Sequence, residues 1–374
     1  MKAKRSDILT CVLFCVFVFG MLALYLLLPP ATFSDKEKRE LSPAPVVTAD
    51  TVLSGQFGET VETYLADHIP GRDLFVGLAS YYDLLTGRQY TKDVYPASGD
   101  RLVEAPQAWN EATAQRNMNA INKFSQTIGQ NVDLMIVPSA GFVLEETIQG
   151  IHDPYTDDQI ISEVYAMAGE RVNCLDLTGG FLNAENPGDL YYRTDHHWTS
   201  LGAYRAYQAY MASLDRTYAD KRDFKVETFG DFLGSTYSRS GLWLTPAENV
   251  ELWKTDTQFT VTNGESDKTS SSLFYPERLE ELDKYTVYLD GNHSLVRIEN
   301  PAAAGSGKLL VIRDSYANCL GTFLAHSYES VVLVDLRYYK KPISELLAAE
   351  EFSDVLVCYS IGNFLTDTNM IFLR

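Results

Sequence analysis

Six histidines stand in the 374-residue chain, and two are adjacent in Thr194-Asp195-His196-His197-Trp198. A carboxylate and imidazoles beside an indole are a set that moves protons or holds a metal. In an extended or turn segment, side chains two apart can lie on one face, and neighbours in a strand point opposite ways. The spacing therefore places Asp195 to reach His197, leaving His196 to pack or hydrogen-bond behind the site. An imidazole oriented by a carboxylate is a base for a nucleophile. The nucleophile candidate is Ser315, in KLLVIRDSYAN, where an apolar run gives way to a helical pattern. A hydroxyl there sits at a strand end, and the free N–H groups of a helix start can stabilise an oxyanion. The N–H of Ser315 or of Tyr316 is the first such donor. The bland alternatives are that Ser315 and Asp195 are helix caps and His196 a satisfied surface histidine.

The elements that must position these groups follow from apolar patterning. Short apolar runs at 132–137, 172–177, 308–312, 331–336 and 354–360 read as buried strands. Helical patterns near 56–86, 109–128, 157–169, 199–213, from about 315, and at 342–350 alternate with them. Thr199 or Ser200 is placed to cap the helix after Trp198. This alternation predicts an α/β fold with a parallel sheet and helices on both faces. Functional groups then gather beyond the carboxyl ends of the strands. Residues 215–305 are polar and rich in Gly, Ser, Thr and aromatics, and read as an insertion of loops and short strands.

Ile8–Leu28 is free of charge over a length that spans a bilayer core. Lys2, Lys4 and Arg5 precede it, so the positive-inside rule leaves residues 1–7 in the cytoplasm and the rest outside. An uncleaved anchor is expected rather than a signal peptide, whose apolar core is shorter. Residues 29–50 read as a linker, and 51–374 as the extracytoplasmic domain. With 50 acids against 31 Lys and Arg, the net charge is −19. That excludes the electrostatic footprint of a nucleic-acid binder. Cys11 and Cys15 lie in the anchor; Cys174, Cys319 and Cys358 are scattered and form no disulfide framework. Cys174 and Cys358 read as small core residues. No Cys-x-x-Cys pair is present, and no cofactor is called for.

The Thr-Asp-His-His-Trp run, followed by Thr-Ser-Leu-Gly-Ala-Tyr, resembles the signature of the bacterial DHHW proteins. These are similar to the SGNH-hydrolase-like proteins of alginate O-acetylation. Phe33–Leu41, Tyr64–Arg72 and Asp335–Tyr339 extend the resemblance over about 33–370. It implies an SGNH-like fold with a permuted motif order, Asp and His first and Ser about 120 residues later. It implies Asp195 as orienting acid, His197 as base and Ser315 as nucleophile. It also implies acetyl transfer to, or removal from, a cell-envelope or exported polysaccharide, beside a membrane-bound O-acyltransferase that supplies the acetyl group. Arg313-Asp314-Ser315 departs from the Gly-Asp-Ser more typical of this class. Such folds add an oxyanion Gly and Asn from later strands. Asn363, in Ile361-Gly362-Asn363, and Gly291-Asn292, followed by His293, are the candidates. Asn363 is equally a helix cap, and Gly291-Asn292 a hairpin turn. Arg313, Arg337, Tyr237, Trp243 and Trp253 either line a glycan cleft or pack.

Two rivals remain at the sequence level. Asp-His-His also opens the signature of the metal-dependent DHH phosphoesterases, but three consecutive residues rarely surround one zinc. A non-catalytic, glycan-holding scaffold is the other, and Arg313 in place of Gly keeps it open.

Overall fold

The computed structural model describes residues 5–264 and 269–373. They form two compact units, residues 5–92 with Ser238–Leu244, and Asp93–Tyr237 with residues 245–373.

The first unit begins with α1 (Arg5–Leu27), none of whose residues is buried. It is long and apolar enough to cross a membrane and fits a single-pass anchor. Lys2 and Lys4 lie outside the described residues. The segment read as a linker carries a small strand pair, Phe33–Ser34 with Arg39–Glu40. Arg39 explains its order. Its guanidinium forks onto the buried Asp67 carboxylate, with Nη2 to Oδ1 at 2.5 Å and Nη1 to Oδ2 at 3.1 Å. The helix expected near 56–86 is two helices, α2 (Gln56–Asp67) and α3 (Arg72–Leu85). They part at Pro70-Gly71, where Gly71 takes φ 73°, a left-handed geometry that favours glycine.

The second unit is built on an eight-stranded sheet. Its strands are β1 (Val132–Val137), β2 (Val172–Asp176), β3 (Thr260–Asn263), β4 (Thr269–Ser270), β5 (Leu295–Glu299), β6 (Lys308–Arg313), β7 (Ser330–Val334) and β8 (Asp354–Ser360). They lie in the order β4-β3-β5-β7-β6-β8-β1-β2. The five strands legible as apolar runs, β7 to β2, are all parallel. The segment read as an insertion supplies the rest, as β5 pairs antiparallel with β7 and with β3. The sheet is therefore mixed, with an antiparallel edge on a parallel core.

Alternation along the strands sends side chains to two apolar layers. Leu309 and Val311 of β6 join one, with α6 (Ser200–Ser213) and α7 (Tyr316–Leu324). Leu310 and Ile312 join the other, with α4 (Glu111–Ile128), α5 (Asp157–Ala166) and α8 (Ile343–Ala349). Cys358 is buried, but Cys174 is exposed, correcting the expectation of a core residue. Its strand, β2, is the sheet's edge, and three of its five residues are exposed.

Candidate active site

Ser315 is separated from the end of β6 by Asp314 alone and stands at the N-cap position of α7, with φ −65° and ψ −22°. Its side chain makes no capping bond, so the hydroxyl is free for another partner. That partner is His197, whose Nε2 lies 2.8 Å from Ser315 Oγ. On the far side of the imidazole, His197 Nδ1 is 2.6 Å from Asp195 Oδ1. Asp195, His197 and Ser315 are thus one hydrogen-bonded line, with the carboxylate fixing Nδ1–H and leaving Nε2 to accept.

The Asp195 carboxylate is fully engaged. Oδ1 also accepts from the His197 N–H at 2.9 Å, and Oδ2 accepts from the N–H and Oγ of Ser235 at 2.7 and 3.0 Å. Burial works to raise this carboxyl. The charges of His197 and His196 and the bonds from His197 and Ser235 win, holding it well below the usual carboxylate range.

Ser235 was not singled out in the sequence, since it lies in the polar insertion. It donates to Asp195, so its oxygen accepts from His196 Nδ1 at 2.6 Å. Burial and the neighbouring His197 push the His196 imidazole down, toward its neutral form. The close approach depends on Gly234, where an added Cβ would stand 2.2 Å from Asp195 Cβ and 2.6 Å from its Cα.

His197 is held between two rings. Tyr285, on the tight helical turn Lys284–Val287, stacks on it at 3.8 Å between centroids and 10° between planes. The His196 ring is 3.9 Å away at 35°. Two rings that near one imidazole must take opposite faces. Trp198, wholly buried, donates from Nε1 to the Tyr316 carbonyl at 3.0 Å and ties the motif to the start of α7. The Tyr316 hydroxyl donates back to the His196 carbonyl.

A second clamp comes from Glu248. Its carboxylate, raised by burial, accepts from Arg193 N–H at 2.8 Å and from Thr194 N–H and Oγ1 at 2.6 Å each. Thr199 caps α6 by accepting from the Gly202 N–H, as its type and position suggest.

Asp314 organises the strand ends. Oδ1 accepts from the Tyr316 N–H at 3.0 Å. Oδ2 accepts from the N–H and Oγ of Ser360 and from Asn363 Nδ2, each at 2.8 Å. The Tyr316 N–H is thus turned toward Asp314, and one proton of the Asn363 amide is spent there too. Among the described residues the Ser315 N–H makes no hydrogen bond.

The remaining candidates form a separate cluster. Arg313 is completely buried and donates to Asn292 Oδ1 at 3.0 Å and to the His293 carbonyl at 3.4 Å. Asn292 Oδ1 also accepts from Asn318. Gly291 takes φ 84° in the turn before it, and His293 Nε2 lies 3.2 Å from Asp290. Arg337 is bound through Nη2 to Asp335 at 2.7 Å. Arg313 continues the alternation of Val311, so it enters the core instead of lining a cleft. Tyr237 and Trp253 are core residues as well, and Trp243 Nε1 donates to the Asp73 carbonyl.

Asp195, His196 and His197 also bring ligand-type atoms within 4.8 Å of one another. Two ligands at about 2.0–2.1 Å from one zinc stand roughly 3.3 Å apart in tetrahedral geometry. The 2.6 Å contact of Asp195 with His197 is instead the length of a charge-assisted hydrogen bond. His196 Nδ1 is already engaged with Ser235.

A family model described as DHHW protein matches residues 108–334. The chain belongs to the DHHW family. A curated relative, the probable alginate O-acetylase AlgJ of Pseudomonas putida, is 26% identical over 176 residues, covering 44% of this chain. The chain spans about 45% of that relative's length. A solved DHHW family protein from Eubacterium siraeum is 21% identical with a TM-score of 0.64, covering 75% of this chain and 95% of that one. Bacillus cereus PatB1, solved with a sulfonyl adduct, is 21% identical with a TM-score of 0.65, covering 75% and 98%. These likenesses fix the fold of this DHHW protein as an α/β sheet flanked by helices.

Proposed function

We propose that this DHHW protein is an anchored, outward-facing O-acetyltransferase or acetylesterase that works on an envelope or exported polysaccharide through a Ser315 acyl-enzyme. The observation that carries the reading is the unbroken line Ser315 Oγ, His197 Nε2, His197 Nδ1, Asp195 Oδ1, at 2.8 and 2.6 Å. The similarity to a probable alginate O-acetylase supports the acetyl and polysaccharide parts. The anchor-like α1, with basic residues ahead of it, supports the outward face.

The chemistry runs in two balanced halves. Ser315 Oγ attacks the acetyl carbonyl as its proton passes to His197 Nε2. The tetrahedral intermediate collapses, and His197 returns that proton to the leaving group. A sugar hydroxyl or water then gives its proton to His197 and attacks the acetyl-serine. Ser315 leaves with the proton restored. Asp195 stabilises the imidazolium in both halves without itself taking the proton. The Ser315 N–H and the second proton of the Asn363 amide are the oxyanion donors that fit. A membrane-bound O-acyltransferase is the acetyl supplier this reading calls for.

Ser315→Ala and His197→Ala are expected to abolish turnover of activated acetyl esters while thermal melting stays unchanged. Ordinary turnover in either variant contradicts the acyl-enzyme.

A further inference from the structure

The line through Ser315, His197 and Asp195 accounts for both edges of the His197 ring but not for its faces. Tyr285 covers one face at 3.8 Å and 10°, closer and more nearly parallel than the other ring contacts of His197. Its own phenol is buried, and burial keeps it neutral, well above its ordinary range. A neutral phenol presents a negative π face, and a cation over such a face is attracted to it. His197 becomes that cation each time it takes a proton.

We infer that Tyr285 is a positioning residue that holds the His197 ring flat and stabilises it selectively in the protonated form reached in the transition state. This rests on the acyl-enzyme reading above. The groups facing His197 are Asp195 and His196 from its own loop, Ser315 and Tyr316 from the start of α7, and Tyr285. Asp195 attracts the imidazolium at one edge. His196, on the opposite face, is itself pushed toward its neutral form by burial and by the charge of His197. Tyr285 meets His197 through its ring face, and among the described residues its hydroxyl makes a single, long 3.5 Å contact with the Tyr316 carbonyl. The stack is therefore expected to survive loss of the hydroxyl.

The test replaces Tyr285 in the full chain by Phe and then by phenylalanines of increasing fluorination, which drain the π face at nearly constant shape. Tyr285→Phe is expected to keep kcat/KM for acetyl-ester turnover within about twofold. The fluorinated series is expected to fall stepwise, to about 3- to 20-fold below Phe. The acid limb of its pH profile moves to lower pH, because a weaker π face lets the base lose its proton sooner. Equal melting temperatures across the series show that the fold is kept. A flat series with an unmoved acid limb overturns the inference. Ser315→Ala, measured alongside, separates the two failures. If it keeps turnover, the acyl-enzyme reading falls and Tyr285's role with it. If it is dead while the series is flat, only the role of Tyr285 falls.

Discussion

The Asp195 carboxylate accepts four hydrogen bonds, two from His197 and two from Ser235. Such saturation fixes the carboxylate plane, and through it the imidazole. Ser235→Ala removes one donor and leaves the backbone one. It is expected to cut kcat by about 3- to 10-fold, on the order of one ordinary hydrogen bond of about 1 kcal/mol. Gly234→Ala is more severe. The new Cβ would overlap Asp195 backbone and side chain, so the Asp195 turn must move. A cost of about 1–3 kcal/mol in chemical denaturation is expected, with loss of turnover well beyond that of Ser235→Ala. Equal activity in Gly234→Ala would mean that the turn is more compliant than its packing implies.

Among the elements, the motif loop depends on segments remote in sequence. Glu248 alone receives three donors from Arg193 and Thr194. Glu248→Ala leaves them unpaired in a buried place, and equilibrium unfolding is expected to show about 2–4 kcal/mol lost. How far this was legible in the sequence differs element by element. The inner parallel strands were readable because both their faces are buried, which writes continuous apolar runs such as VDLMIV and VVLVDL. The two-residue spacing pointed to the pairing of Asp195 with His197, but residues 193–197 form bends rather than a strand, and the His196 ring lies against that of His197 instead of pointing the opposite way. Ser235, Tyr285 and Glu248 were not readable, because each lies in the segment 215–305 and meets the motif only through tertiary packing. The polar composition there suggested loops and short strands, and β3, β4 and β5 are such strands, but no local pattern announced that they complete the sheet. Asn363, read as a possible helix cap, instead sits in the first turn of its helix and donates its backbone N–H to the actual cap, Ser360, and no local pattern announced that Asp314 would take the Tyr316 N–H and the Asn363 side-chain amide.

At the scale of the whole molecule, acid stability has a titrating contributor in His326. Its ring makes edge contacts with Phe224 and Phe259, and burial pushes the imidazole down to about 4. The unfolded chain takes up this proton near pH 6.5, before the folded one does. The stability is therefore full above about pH 6.5 and is lost as pH falls toward about 4, by up to about 3 kcal/mol. His326→Phe is expected to flatten that decline in a pH series of urea unfolding. An undiminished decline would assign it to other groups. The apolar helix α1, which fits a membrane anchor, belongs to the same scale. A chain starting at residue 29 is expected to leave the membrane fraction while keeping acetyl-ester turnover.

The most direct test of the central claim is mass mapping of the chain after brief exposure to an activated acetyl ester. The account predicts one acetyl group on the peptide that holds Ser315, absent from Ser315→Ala and greatly reduced in His197→Ala. Turnover with no acetyl on Ser315, or the same adduct elsewhere in the Ser315→Ala chain, would contradict it.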